Sequence, residues 1–288
     1  MKQVAVICTC YNQADYIEEA LRSVVNQTYT NWELIIVDNA STDDSLWKIE
    51  QFILKNPQLP IRKLFLGQNI GICKAFNQAL ALTSADYVID LAADDVLLPE
   101  RLESGVMNLE THHEVAVNFT NAQHIDPAGN LLQTHYPVGP LGRSDIFVPE
   151  GHVFEEVIKK YFICSASIMY RTSMLKAIYG YDETLAYEDF DVLIRLSHQY
   201  KFSYTDKILI HKRKLSGSHG AMQYSRKNSQ LRSTLEICKK IFNLIHTTSQ
   251  KKALLFRIAY EGKQSLVHLR IQLFFAFCFL GLKTLIKK

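Results

Sequence analysis

The chain has 288 residues, 48% of them hydrophobic, and a formal net charge of +3. It can bury a large core, as one large domain or as one domain with an extension. Six cysteines with no CxxC pair, and a Met1-Lys2-Gln3 start that runs straight into a strand, argue against a secreted disulfide framework. Reduced thiols in a cytoplasmic protein are expected instead.

In chain order, Val4–Cys8 is an apolar strand. Cys8 and Cys10 share a strand face, but no further His or Cys sits at metal-ligand spacing, so no structural metal is expected there. Ala14–Val25 follows with helical spacing, Ile17, Leu21, Val24 and Val25 on one face. Then come a strand at Glu33–Val37, a helix at Ser45–Leu54, a strand at Ile61–Leu66, a helix at Ile72–Leu82 and a strand at Tyr87–Leu91. Pro99 opens a helix to about Glu110, since proline is tolerated in a first helical turn, and Val115–Phe119 is a fifth strand. Strands alternating with helices predict an α/β fold with a mainly parallel sheet covered on both faces. Glycine and proline gather between Asp126 and Gly151, which predicts a loop or a small β insertion. Helices are expected at Phe154–Tyr161, Thr172–Ile178 and Glu188–Gln199, and the chain beyond Ser225 reads as helical.

Charge divides the chain. Residues 222–288 hold thirteen Lys or Arg against two Glu, a net +11, which leaves −8 for residues 1–221. The expected organisation is a catalytic domain at 1–221 and a basic helical extension at 222–288. Leu273–Leu282 has ten residues without a polar side chain. As a helix it would be about 15 Å long, half a bilayer core, so it suits a helix lying in the membrane interface better than one crossing it. Burial against the body is the competing reading. No nucleic-acid partner is expected.

In open parallel sheets ligands bind outside the carboxyl ends of the strands. Those ends read "CTCYNQ", "VDNASTDD", "GQNIG" and "LAADD", bringing Thr9, Tyr11, Asn12, Asp38, Asp43, Asn69, Asp94 and Asp95 to one rim. Neither GxGxxG nor GxxxxGK[ST] follows a strand, so dinucleotide and P-loop phosphate cradles are disfavoured. A carboxylate-rich rim suits Mg²⁺ or Mn²⁺, which takes one or two protein carboxylates and completes its shell with water and substrate phosphate.

On "VICTCYNQADYIEEALRSVVNQTYTNWELIIVDNASTDDS", "NIGICKAFN", "ADYVIDLAADDVLLPERLE" and "GYDETLAYEDFDVLIRLS", four motifs in order across Val4–Leu196, the chain resembles a family-2 glycosyltransferase of the GT-A fold. The resemblance implies an inverting enzyme that moves a hexosyl or N-acetylhexosaminyl group from a nucleotide-sugar, UDP-linked, to a hydroxyl of a saccharide or lipid-linked glycan. Such an enzyme would extend a cell-surface polysaccharide, peripherally, on the inner face of the cell membrane. It assigns Asp38 to the uracil, Thr9, Tyr11 and Asn12 to base and ribose, Asp43 and Asn69 to the nucleotide's surroundings, and Asp94 to the metal, with Asp95 orienting that loop. It assigns Asp189 as general base, with its neighbour Glu188 as the alternative.

The chain also departs from the family. Ala92 stands where many members have an Asp, thinning the metal motif. Phe76 stands where an Arg is common, which makes Lys74 the substitute cation. "HKRKLSGSHG" replaces a Tyr-Arg-x-His motif, so Lys212 and Arg213 are candidates for the diphosphate and His211 or His219 for the metal's vicinity. Arg195 shares a helix face with Glu188; Trp32, Trp47 and Asp90 are expected to be structural. Two other classes compete: an inactive nucleotide-sugar-binding membrane scaffold, and a nucleotidyltransferase. The latter needs a glycine-rich basic loop after the first strand, which "CTCYNQADY" lacks. Acceptor recognition is expected to lie in loops between Thr120 and Ser167.

Overall fold

A computed structural model describes residues 1–215 and 229–287. The expected division at 221/222, and His219, lie outside the described residues. The sheet begins with β1 (Val4–Cys10), β2 (Trp32–Asp38), β3 (Ile61–Phe65) and β4 (Tyr87–Ala92). All pair in parallel, in the order β3-β2-β1-β4, with Cys10 opposite Asp38 and Thr9 opposite Ala92. Alternation along a strand decides which core each residue joins. Ala5, Ile7, Ile35, Val37 and Val88 face one way, against α3 (Ile72–Leu82). Val4, Val6, Cys8, Leu34, Ile36, Ile89 and Leu91 face the other, against α1 (Ile17–Val25), α2 (Ser45–Lys55) and α4 (Arg101–Thr111).

Beyond β4 the sheet becomes mixed. It continues through β8 (Met169–Arg171), β6 (Val115–Ile125) and β9 (Lys201–Arg213) to β5 (Val96–Leu97), while β7 (Leu131–Thr134) forms a hairpin with β6. β8 runs antiparallel to both β4 and β6, β9 parallel to β6, and β5 antiparallel to β9. The expected parallel pairing holds through the first half and in the long β6–β9 pair, while β5, β7 and β8 add antiparallel pairs. Strands β5 and β8 are two and three residues long, too short to show a period. β9 is long, but its register against β6 shifts repeatedly, which breaks the period-2 pattern. Of the two readings for 126–151, the β insertion is the one observed.

Short helices α5 (Phe154–Lys159) and α6 (Thr172–Ala177) precede α7 (Asp189–Ser197); the chain closes with α8 (Gln230–Leu244), α9 (Thr248–Val267) and α10 (Ile271–Ile286). Leu235, Ile241, Leu254, Ile258, Phe277 and Leu280 of the last three helices belong to the α3-side core. Those helices therefore pack on the body through one face. Trp32 is buried as expected, but Trp47 corrects the sequence reading: it is 59% exposed on the outer side of α2.

Candidate functional site

The carboxyl edge of β1 and β2 is wired by backbone groups bonding to short polar side chains. Asn12, at a positive φ of 54°, receives the Thr42 amide on its Oδ1 at 2.7 Å and donates its own amide to Ser41 Oγ at 3.0 Å. The Ser45 and Ala14 amides occupy the two oxygens of Asp43 at 2.9 and 3.0 Å. Burial works to raise the Asp43 carboxyl, but these bonds prevail and hold it below the usual range. Asn69 accepts from Asn39 Nδ2 and from the Gly71 amide, tying the loop after β3 to the loop after β2. Asn12, Asp43 and Asn69 thus shape the rim by bonding to the protein itself.

Asp38 differs. It is 1% exposed; its Oδ2 accepts from the Ser41 amide at 3.0 Å, and its Oδ1 is buried without a partner. Thr9 Oγ1, one strand away, is also buried and unpartnered. Buried polar atoms in folded proteins are nearly always satisfied, so an orphaned carboxylate oxygen at the tip of β2 marks a place prepared for an external partner; Thr9, which pairs with Val37, lies on the opposite face of the sheet from Asp38. Tyr11 stands beside them, 45% exposed. Lys74 lies on the exposed side of α3.

The loop after β4 holds Asp94 and Asp95, both buried. Asp95 accepts the Arg213 amide at 2.9 Å, while Arg213 Nε donates to the Asp94 carbonyl at 3.0 Å. The rest of the Arg213 guanidinium reaches Glu19 at 2.5 Å and the Asp126 and Pro127 carbonyls at 3.1 Å, over the Tyr16 ring. Arg213, expected as a diphosphate ligand, is instead a clamp that fixes the acidic loop. Burial pushes Asp94 up, opposed by its own loop backbone, Gln13, Lys212 and Arg213. Burial and then Asp94 push Asp95 to about 7. Among the described residues no three His, Cys, Asp or Glu cluster as a metal cage. One carboxylate, Asp94, faces the site while Asp95 is committed to Arg213. That donor set fits Mg²⁺ or Mn²⁺ completed by substrate phosphate and water, and no ion that needs a full protein shell.

The base candidates sit where α7 begins. Glu188 is its N-cap residue and Asp189 its first helical residue, accepting the Phe190 amide at 2.7 Å. The helix terminus favours a carboxylate, yet burial outweighs it: Asp189 is raised above its ordinary value, with Lys212 pulling it back. Burial, then Asp189 and Asp90, carry Glu188 further, to about 8. Lys212 itself is held protonated by the Cys164 sulfur against its own burial, with the Asp95, Asp189 and Glu188 carboxylates adding to the effect. It lies opposite His124 in the β6–β9 register. His211, one residue earlier on β9, is pushed down by burial.

Arg195 does not reach Glu188. It pairs with Asp191 at 2.6 Å and ties down the Ile178 and Gly180 carbonyls. In the turn after Gly180, Asn77 of α3 exchanges two bonds with the Tyr181 backbone, at 2.8 and 2.9 Å. Gly180 has φ 66°, and a Cβ there would run into Asn77 Oδ1. Phe76, at the position expected to carry a cation, stacks on the Tyr181 ring at 4.3 Å, and Tyr181 donates to Asp90 at 2.9 Å.

Sequence reasoning missed what lies beneath the base. Arg257 of α9, fully buried, donates to the Ile158 carbonyl at 2.7 Å and to Glu261 at 3.1 Å, with its guanidinium 4.3 Å from the Tyr161 ring and 4.7 Å from that of Phe190. Tyr161, Phe162, Ile163, Asp189, Phe190 and Leu193 line a shallow crevice with room for only about 10 Å³. An arginine in an otherwise amphipathic helix is the only sequence signal for this, and it does not name its partners.

A β3-β2-β1-β4 parallel half joined to a mixed half, with acids on one rim, is the arrangement of the GT-A fold. The comparisons agree. Residues 5–179 match glycosyl transferase family 2, and the chain belongs to that family. It is 31% identical over 218 residues to an uncharacterised glycosyltransferase of Methanocaldococcus jannaschii, covering 72% of this chain and 69% of that one. It is 28% identical over 207 residues to the chondroitin synthase of Escherichia coli, covering 71% of this chain but only 28% of the synthase. In structure it resembles S. aureus TarS 1–349 in complex with UDP-GlcNAc, with a TM-score of 0.70 at 22% identity over 90% of this chain and 72% of that chain. A mannosyltransferase of Pyrobaculum calidifontis in complex with GDP-Man and Mn²⁺ gives 0.65 at 16% identity, over 96% and 73%. At those identities the two structures speak for the fold alone.

Proposed function

We propose that the chain is an inverting glycosyltransferase that takes a UDP-linked sugar and passes it to a hydroxyl of a saccharide or lipid-linked glycan. The observation that carries the donor reading is the buried, unpartnered Asp38 Oδ1 at the tip of β2. A carboxylate oxygen with no internal donor calls for an N–H, and the uracil edge offers one. Tyr11 flanks the base. Asn12, Asp43 and Asn69 hold the loops that form the rim, and Lys74 meets the donor only from outside. The TarS complex contains UDP-GlcNAc and the Pyrobaculum complex GDP-Man, so uridine against guanosine is the comparison that tests this reading.

Asp94 is the residue to hold Mn²⁺ or Mg²⁺. When bound, the ion neutralises charge on the departing diphosphate. Lys212 adds a fixed positive charge next to the acids. The acceptor oxygen bonds to the anomeric carbon from the face opposite the diphosphate as the carbon–oxygen bond to phosphate breaks. UDP departs, and the acceptor's proton passes to Asp189. Asp189 is the base we assign, because it opens α7, where the helix terminus favours a carboxylate, and it borders the crevice lined by Tyr161, Phe162 and Phe190.

Thermal-shift titration with UDP, GDP and their sugar conjugates, with and without Mn²⁺, tests the donor reading. A uridine-specific shift that deepens with Mn²⁺ is expected. Equal shifts with GDP, or none in Asp38-intact protein, would remove the uracil assignment. A sugar-nucleotide hydrolysis assay separates the enzyme from an inactive scaffold.

A further inference from the structure

Helices α9 and α10 form an antiparallel hairpin that packs closely. Cβ atoms built on Gly262 and Gly281 would sit 3.7 Å from Phe277 Cβ and 3.4 Å from Ile258 Cγ2, so larger side chains would push the helices apart. One side of each helix is core: Leu254, Arg257, Ile258, Glu261 and Ser265 of α9, and Phe277, Leu280 and Thr284 of α10. The other side is apolar as well, and faces outward. On α9, Phe256, Tyr260 and Val267 are exposed; on α10, Ile271, Phe275, Phe279, Leu282 and Ile286 are exposed at steps of four, four, three and four residues, one continuous stripe. Of the twenty-four exposed large hydrophobic residues among the described ones, eleven lie between 256 and 286.

This stripe carries its own charges. Lys252 and Lys263 stand in line with Phe256 and Tyr260, and Lys283 covers the Phe279 ring at 4.5 Å. All three are exposed, and none has a carboxylate partner among the described residues. Residues 222–288 as a whole carry +11. A second copy of the hairpin would bring lysine against lysine. An anionic lipid surface satisfies both features at once, acyl chains meeting the apolar stripe and headgroups meeting the ammonium groups. No helix among the described residues is long and apolar enough to cross a membrane. Sixteen residues of α10 make about 24 Å, against a hydrocarbon core of about 30 Å.

We propose that the α9–α10 hairpin is a membrane-docking face that lies in the plane of an anionic lipid surface. Phe256, Phe275, Phe279, Leu282 and Ile286 enter the acyl boundary, and Lys252, Lys263 and Lys283 sit among the headgroups. This does not depend on which nucleotide-sugar the enzyme uses.

Co-sedimentation of the full chain with phosphatidylcholine vesicles, with and without phosphatidylglycerol, tests it. The protein should pellet with the anionic vesicles and leave them partly in high salt, which screens the lysines but not apolar burial. Replacing Lys252, Lys263 and Lys283 together by Gln should weaken partitioning on the order of 10²-fold. Phe275→Ser with Phe279→Ser should weaken it further while leaving Tm and UDP binding unchanged, because both rings are exposed. A full-length protein that stays in the supernatant with anionic vesicles overturns the proposal. So does light scattering that shows a dimer lost in the Phe275→Ser, Phe279→Ser protein, which would assign the face to a second copy.

Discussion

The two halves of the site are built differently. Around Asp38 the supports come from within the first hundred residues: Asn12 to Thr42, Asp43 to Ala14, Asn69 to Asn39, each joining one strand end to the next; only the Asp94–Asp95 loop takes a distant one, Arg213. On the acceptor side the supports come from far along the chain. Arg257 lies beneath Tyr161 and Phe190, and Lys240 of α8 pairs with Asp182 and with Asp191. A rim stitched by short polar side chains holds its shape through local hydrogen bonds. A base held up by a distant helix depends on the packing of the whole protein.

The largest effect expected concerns the chemistry itself. Asp189→Asn should slow turnover by about 10²–10⁴-fold, the usual worth of a positioned base, with UDP affinity intact by calorimetry. Glu188→Gln should cost much less; the reverse ranking would move the base by one residue. Next, Arg257→Met should destabilise the protein by about 3–5 kcal/mol in denaturant titration, because it breaks the buried Arg257–Glu261 ion pair and the bond to the Ile158 carbonyl. The comparison is sharpened if the surviving folded fraction still binds UDP normally, and broken if donor binding falls with the same mutation.

Asp38→Ala should weaken UDP binding by roughly 1–3 kcal/mol with little loss of turnover at saturating donor. Unchanged affinity would take Asp38 out of the donor site. A pH slope is expected as well. Glu188 sits at about 8 in the folded protein, above its ordinary value, so the folded state holds a proton that the unfolded chain has released. Stability from this group is full below its ordinary value and is lost as pH climbs toward 8. The Tm of Glu188→Gln relative to the parent should therefore rise between pH 5 and pH 8. A flat difference would place Glu188 in contact with water.

The donor half was legible because its signals are local. Four apolar strands, each followed by short polar residues, state both the fold and the rim, and helix Ile72–Leu82 lies where its periodicity puts it. Asp38 and Asp94 sit at the strand ends the motifs gave them. The acceptor half was not legible in the same way. β8 is three residues long and owes its existence to neighbours on both sides. Arg213 looked like a phosphate ligand because a basic loop resembles one; only the fold shows that its donors are taken up by Glu19, Asp94, Asp126 and Pro127. Arg195 pairs one turn away, with Asp191, because the Ile178 and Gly180 carbonyls draw it to the far side of the helix.

The Asn77–Tyr181 pair has a consequence for motion. It bolts α3, on the donor half, to the turn that leads into α7, while one unbroken sheet runs from β3 to β5 under both halves. Among the described residues, these two ties oppose rotation of one half against the other. The relative placement of Asp94, after β4 of that sheet, and Asp189, at the start of α7 beyond that turn, is accordingly a property of the fold itself.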